Sequence, residues 1–82
     1  WAIGDATPPP PRVASEAIMY IRKILSSLFS REEAERVRML YGGAVNSESA
    51  RGFITAGNAD GLLVGHHSVF VKDFAAIVRA CE

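Results

Sequence analysis

The spacing of apolar residues changes along the chain, and each change marks an element. Over residues 12–29 they fall at Ala14, Ala17, Ile18, Ile21, Ile24, Leu25 and Leu28, the three-and-four spacing of an amphipathic helix, and the pattern predicts a helix over 12–29. Arg22, Lys23, Ser26 and Ser27 lie mostly off that stripe. Ser30, with Glu33 three places on, forms a capping box that starts a short second helical turn, ending before Val37 where the period changes. "VRMLY" then reads as a buried strand, predicted over 38–41 and stopped by Gly42 and Gly43. Residues 49–56 read as a short helix, with Asn46 or Ser47 as candidate cap and Ala50, Phe53 and Ile54 on one face. "GNADG" is a turn cluster. The next strand, predicted over 61–64, is apolar at consecutive positions, which suits a parallel strand covered on both faces. A final helix is predicted over 71–81, with Phe74, Ile77, Val78 and Cys81 inward.

Ahead of the first helix stands "WAIG", a short apolar run ended by glycine that reads as the last turn of a strand. The four prolines Pro8 to Pro11 follow as a stiff, extended segment, the last of them well placed for the first turn of a helix. A proline-rich recognition ligand is the rival reading, disfavoured because the run abuts a strong helix. With "WAIG" counted, the order is β-α-β-α-β-α, which argues an α/β fold with a parallel sheet.

Composition narrows the function classes. A chain of 82 residues is one small domain at most. The formal net charge of zero argues against generic binding to nucleic acid or an anionic membrane, which rely on a basic surplus. No apolar run approaches the ~20 residues of a membrane span, and Trp1 opens the chain without the basic start of a signal peptide. The single cysteine, Cys81, allows no internal disulfide and reads as a packing residue. These features point to a cytoplasmic protein, and a first residue that is Trp rather than Met reads as a piece of something longer.

The chemistry lies where the strands end. "RMLYGGAV" and "GLLVGHH" each run an apolar strand into a glycine. In parallel α/β folds ligands bind beyond the carboxyl ends of the strands. Glycine lets backbone N–H groups approach an anion, and a nearby helix start adds partial positive charge. The two loops therefore suggest one shared phosphate site, although spacing alone leaves equal room for plain turn glycines.

Taken together, "WAIG", "YGG-V-N" and "DG-LVG--S" resemble the triosephosphate isomerase family, in the right order and at the right separations, over essentially the whole chain. The resemblance implies three consecutive βα units, strands 6–8 of a (β/α)8 barrel, with a parallel sheet that is incomplete on its own. It implies a parent that interconverts dihydroxyacetone phosphate and glyceraldehyde 3-phosphate through an enediolate, without cofactor, as a cytoplasmic homo-oligomer with no nucleic-acid or membrane partner. Residues 1–11 would form the lid, Tyr41 its latch, and Gly4, Ala44, Gly65 and His66 the phosphate contacts. The family's catalytic glutamate, histidine and lysine fall outside this chain, so no catalytic residue is assigned within it. Three departures stand out: Ala44 where the family has a serine, His66 where it has a second glycine, and Pro8 to Pro11 where its lid hinge is small and flexible. The residue aligned with the tyrosine's N–H partner in the closed lid is Pro9, which has no N–H to give.

Three rival readings are weighed against this one. His66 and His67 as a metal pair is disfavoured, because adjacent residues rarely ligate one ion and no carboxylate or cysteine cluster supports them. Protonated, the same pair would add charge near a phosphate. Another phosphate-binding barrel is argued against by "WAIG" with "YGG". An inactive βα fragment that self-assembles or binds phosphate is the alternative function. Glu32, Glu33 and Glu35 read as a solvated helix face.

Overall fold

A computed structural model describes Ala2, Ile3 and residues 7–82. The Gly4 assignment lies outside the described residues. The order is α1 (Pro11–Leu28), α2 (Arg31–Arg36), β1 (Leu40–Gly43), α3 (Ala50–Ile54), β2 (Gly61–Val64), a 3-10 turn at His66–Val69 and α4 (Val71–Ala80). Among the described residues the sheet has two strands, parallel, with Leu40 opposite Gly61 and Gly43 opposite Val64. Ala2 and Ile3 belong to neither strand. Their segment is held beside β1 by the Ala44 N–H, which donates to the Ala2 carbonyl at 3.1 Å.

Helix α1 begins where proline allows it. Pro10 is extended at φ −61° and ψ 145°, and Pro11 takes the first helical position, where its missing N–H has no intrahelical partner to lose. The capping pattern at Ser30 appears as its hydroxyl accepting from the Glu33 N–H at 3.1 Å. Two acidic residues in the first turn of α2 and Arg36 in the last complement its dipole.

β1 departs from its expected bounds: it runs two residues later, and Gly42 and Gly43 are its last two paired positions instead of its stop. The cause is a brace the chain forms from distant residues. Asp60 Oδ2 accepts from the Met39 N–H at 2.8 Å and from Arg22 Nη2 at 3.1 Å. Arg22 Nη1 donates to the carbonyls of Ala34 at 2.7 Å and Val37 at 2.8 Å. The Asp60 N–H in turn reaches the Met39 carbonyl at 2.8 Å. With Met39 committed to Asp60, pairing with β2 starts one residue on, and one arginine ties α1, the end of α2 and the entry to both strands.

The core lies on one side of the sheet. Phe53, Ile77 and Val45 are its most fully buried large side chains, joined by Met39, Tyr41, Ala14, Ile18, Ala50 and Ala59. Along β2, Leu62 and Val64 pack toward this core, whereas Leu63 is 69% exposed and Leu40 of β1 is 61% exposed. The second face of the strands, expected to be covered, is open in this chain. The α1 stripe is likewise half used: Ala14 and Ile18 are buried and Leu25 packs on the core, while Ile21, Ile24 and Leu28 are exposed. In α4 only Ile77 is buried, Phe74 and Val78 are exposed, and Cys81, read as a packing residue, is exposed too. No described helix is long and apolar enough to cross a membrane.

Candidate functional site

The two strands end side by side, and their ends open onto a cleft of about 750 Å³. Its walls include Gly43, Ala44 and Asn46 from the end of β1, Gly65, His66 and His67 from the end of β2, and Ile3 and Pro8 from the N-terminal segment. Of the five residues predicted from sequence, three line it: Ala44, Gly65 and His66. Tyr41 is buried and is not among the cleft's lining residues, and Gly4 is outside the described residues.

Each wall is fixed by local chemistry. Tyr41 is buried, stacked on Phe53 with ring centroids 4.0 Å apart and planes 12° apart, and its hydroxyl donates to the Ala44 carbonyl at 3.2 Å. The Ala44 N–H donates to Ala2, so both backbone groups of Ala44 are engaged. Gly43 sits at φ 147°, a conformation that L side chains rarely adopt. Asn46 shapes the next turn: its Oδ1 accepts from the N–H groups of Glu48 at 3.0 Å and Ser49 at 2.8 Å, while its own N–H reaches Ser49 Oγ at 3.0 Å. Asn46 is thus the residue that organises the start of α3, though it does so from the turn rather than as the N-cap, which is Ser49.

The opposite wall is the 3-10 turn. Ser68 returns its hydroxyl to the Gly65 carbonyl at 2.6 Å. His67 Nδ1 bonds to Asp73 Oδ2 in the first turn of α4. A hydrogen bond from the Ser47 side chain does most to hold the Asp73 carboxylate below its ordinary range; desolvation opposes it, and the hydrogen bond and charge of His67 add to the lowering. The His67–Asp73 bond therefore ties the turn after β2 to the start of α4. Sequence reading missed this link, and its one signal was an acidic residue in the first turn of a helix six places after a histidine.

The sign of that linkage is testable. A carboxylate with a lowered folded-state pKa stabilises the fold above its unfolded value, and the stability is lost as pH falls through the folded value. The difference in urea midpoint between the wild type and Asp73→Asn is expected to be full from about one pH unit above the ordinary aspartate value of 3.8 and to shrink below that. A difference that stays flat on acidification to about pH 2 would show that the carboxylate makes no such contribution.

Parallel strands joined through a helix, with a glycine-walled cleft beyond their carboxyl ends, define an α/β protein of the kind that binds ligands at strand ends. Comparison with known proteins is specific. A family model described as triosephosphate isomerase matches residues 1–81, and the chain belongs to that family. It is 41% identical over 79 residues to the triosephosphate isomerase of Caldanaerobacter subterraneus subsp. tengcongensis, covering 96% of this chain and 32% of that protein. Against the triosephosphate isomerase of Carboxydothermus hydrogenoformans the identity is 43% with the same coverage. Against that of Citrifermentans bemidjiense it is 39% over 82 residues, all of this chain and 33% of that protein. The chain thus spans about a third of the length of the curated relatives it matches.

Proposed function

We propose that this chain is the phosphate-gripping part of a triosephosphate isomerase that interconverts dihydroxyacetone phosphate and glyceraldehyde 3-phosphate, working as a cytoplasmic homo-oligomer. The observation that carries the reading is the cleft in which Ala44, Gly65 and His66 meet beyond two parallel strand ends. In this reading β1 and β2 are strands 7 and 8 of a (β/α)8 barrel, and residues 1–11 are the lid, with Gly4 closing on the phosphate and Tyr41 as latch. The exposed Leu40 and Leu63 then face a barrel interior that the other strands complete, in place of water.

The N–H groups of Gly65 and His66 take the phosphate. The Ala44 N–H joins them when the lid segment shifts and Ala2 releases it. Proton transfer belongs to the glutamate, histidine and lysine that the family carries on its other segments. General acid–base groups each contribute roughly 10²–10⁴-fold, so the chain by itself is expected to turn over neither triose phosphate.

The test is a transplant. The matching third of the Carboxydothermus hydrogenoformans relative is replaced by this chain, and isomerisation is assayed beside the isolated chain. Turnover by the chimera with none by the chain supports the reading. A chimera that folds with a native-like circular dichroism spectrum but neither turns over nor binds a phosphate-bearing analogue overturns it.

A further inference from the structure

His66 and His67 are the only described cleft-lining residues with titratable side chains, and they are not equivalent. The His67 ring is committed to Asp73. His66 is exposed and lies edge-on to two rings: Phe70, with centroids 5.2 Å apart and planes at 81°, and His67, at 5.7 Å and 77°. No described residue takes either of its ring nitrogens in a hydrogen bond or ion pair. The cleft is also short of donors where it would grip an anion. Ala44 offers no hydroxyl, and its N–H is given to Ala2.

We propose that the His66 imidazole is an anion-binding group of this cleft, supplying when protonated the cationic donor that Ala44 lacks, so that a dianionic ligand is held more tightly as pH falls. The proposal rests on the phosphate reading above and adds the side chain to it. The charged and titratable groups around His66 support the sign. Its own turn brings His67; α4 brings Asp73, whose carboxylate is bonded to His67, and the exposed Lys72. The loop after β1 brings the uncharged Asn46 to the cleft and carries the exposed Glu48 outside its lining; the end of β2 brings Val64 and Gly65, and the N-terminal segment brings Ile3 and Pro8, all uncharged. Among the described cleft-lining residues, His66 is thus the imidazole with no side-chain hydrogen bond or ion pair, and histidine is the residue type that gains its proton between about pH 8 and pH 5.

Sulfate is the probe, because it stays a dianion over this range and any pH dependence belongs to the protein. Sulfate is titrated into the protein at about pH 8 and about pH 5.5, and the amide shifts of Ala44, Gly65 and His66 are followed. Affinity is expected to rise about three- to fivefold on acidification, the size of a single exposed charge pair. His66→Gln should flatten that rise, and His67→Gln should retain it. Sulfate that binds at these amides with no pH dependence, or a rise that persists in His66→Gln, overturns the role of His66 and leaves the phosphate reading standing. Absence of any sulfate response at these amides at either pH overturns both.

Discussion

Truncating Phe53 to alanine is expected to destabilise this protein by about 3–5 kcal/mol, the cost of removing a fully buried aromatic ring. Phe53 has no exposed surface and is one of the three largest side chains buried to that degree. Its ring is stacked on Tyr41, and its carbonyl accepts the Ala59 N–H at 3.0 Å. The loss is a large share of the 5–15 kcal/mol that folded domains possess. It also reaches the cleft: Tyr41 loses the surface it rests on, and the Tyr41 hydroxyl is what holds the Ala44 carbonyl. Phe53→Leu keeps most of the volume and should cost under about 1.5 kcal/mol. Urea midpoints of the two variants, with the amide shift of Ala44 as a local reporter, decide the matter. A Phe53→Ala variant within about 1 kcal/mol of wild type would mean that the Tyr41–Phe53 stack is not the centre of this core.

What could be read from the sequence was what depends on neighbours along the chain. The three-and-four spacing in α1 and α4, the Ser30 cap, the helical start at the last proline and the apolar β2 are all local patterns, and each corresponds to an element of the structure. What escaped depends on partners far away. The β1 ladder starts at Leu40 because Asp60, 21 residues on, takes the Met39 N–H. Arg22 was read only as lying off the helix stripe, yet it bonds across 38 residues to Asp60. An amphipathic pattern also tells which face of a helix is apolar without telling what covers it, and so Ile21, Ile24, Leu28, Phe74 and Val78 were expected inward and are exposed.

The site shows the same division. The glycines at two strand ends suggested one shared site, and the resemblance to the triosephosphate isomerase family supplied Ala44, Gly65 and His66, which line one cleft. The 3-10 turn at His66–Val69 and the His67–Asp73 bond were not legible, because neither follows from periodicity. Nor did the sequence reveal that the Ala44 N–H is held by Ala2, a contact that ties residues 42 apart in the chain and changes how the cleft must open.

The glycines that looked alike in sequence differ in the fold, and the largest effect expected at the cleft follows from that difference. Gly43→Ala places a methyl group 2.6 Å from Ala2 Cβ and 3.0 Å from both the Ala2 carbonyl oxygen and the Tyr41 hydroxyl, at a backbone φ of 147° that alanine adopts only under strain. Backbone strain of this kind costs about 1–3 kcal/mol. Ala2 must also move, and its hydrogen bond with the Ala44 N–H, worth about 0.5–1.5 kcal/mol net, goes with it. The expected loss is therefore roughly 2–4 kcal/mol. Gly65→Ala is the matched control: its φ is −89°, and a methyl group there meets nothing nearer than the Gly43 carbonyl at 3.9 Å, so it should stay within about 1 kcal/mol of wild type. Equilibrium urea unfolding of both variants measures the contrast, and the amide shift of Ala44 reports whether Ala2 has let go. Equal midpoints for Gly43→Ala and Gly65→Ala would refute the assignment of Gly43 as the position where the N-terminal segment closes down on the end of β1.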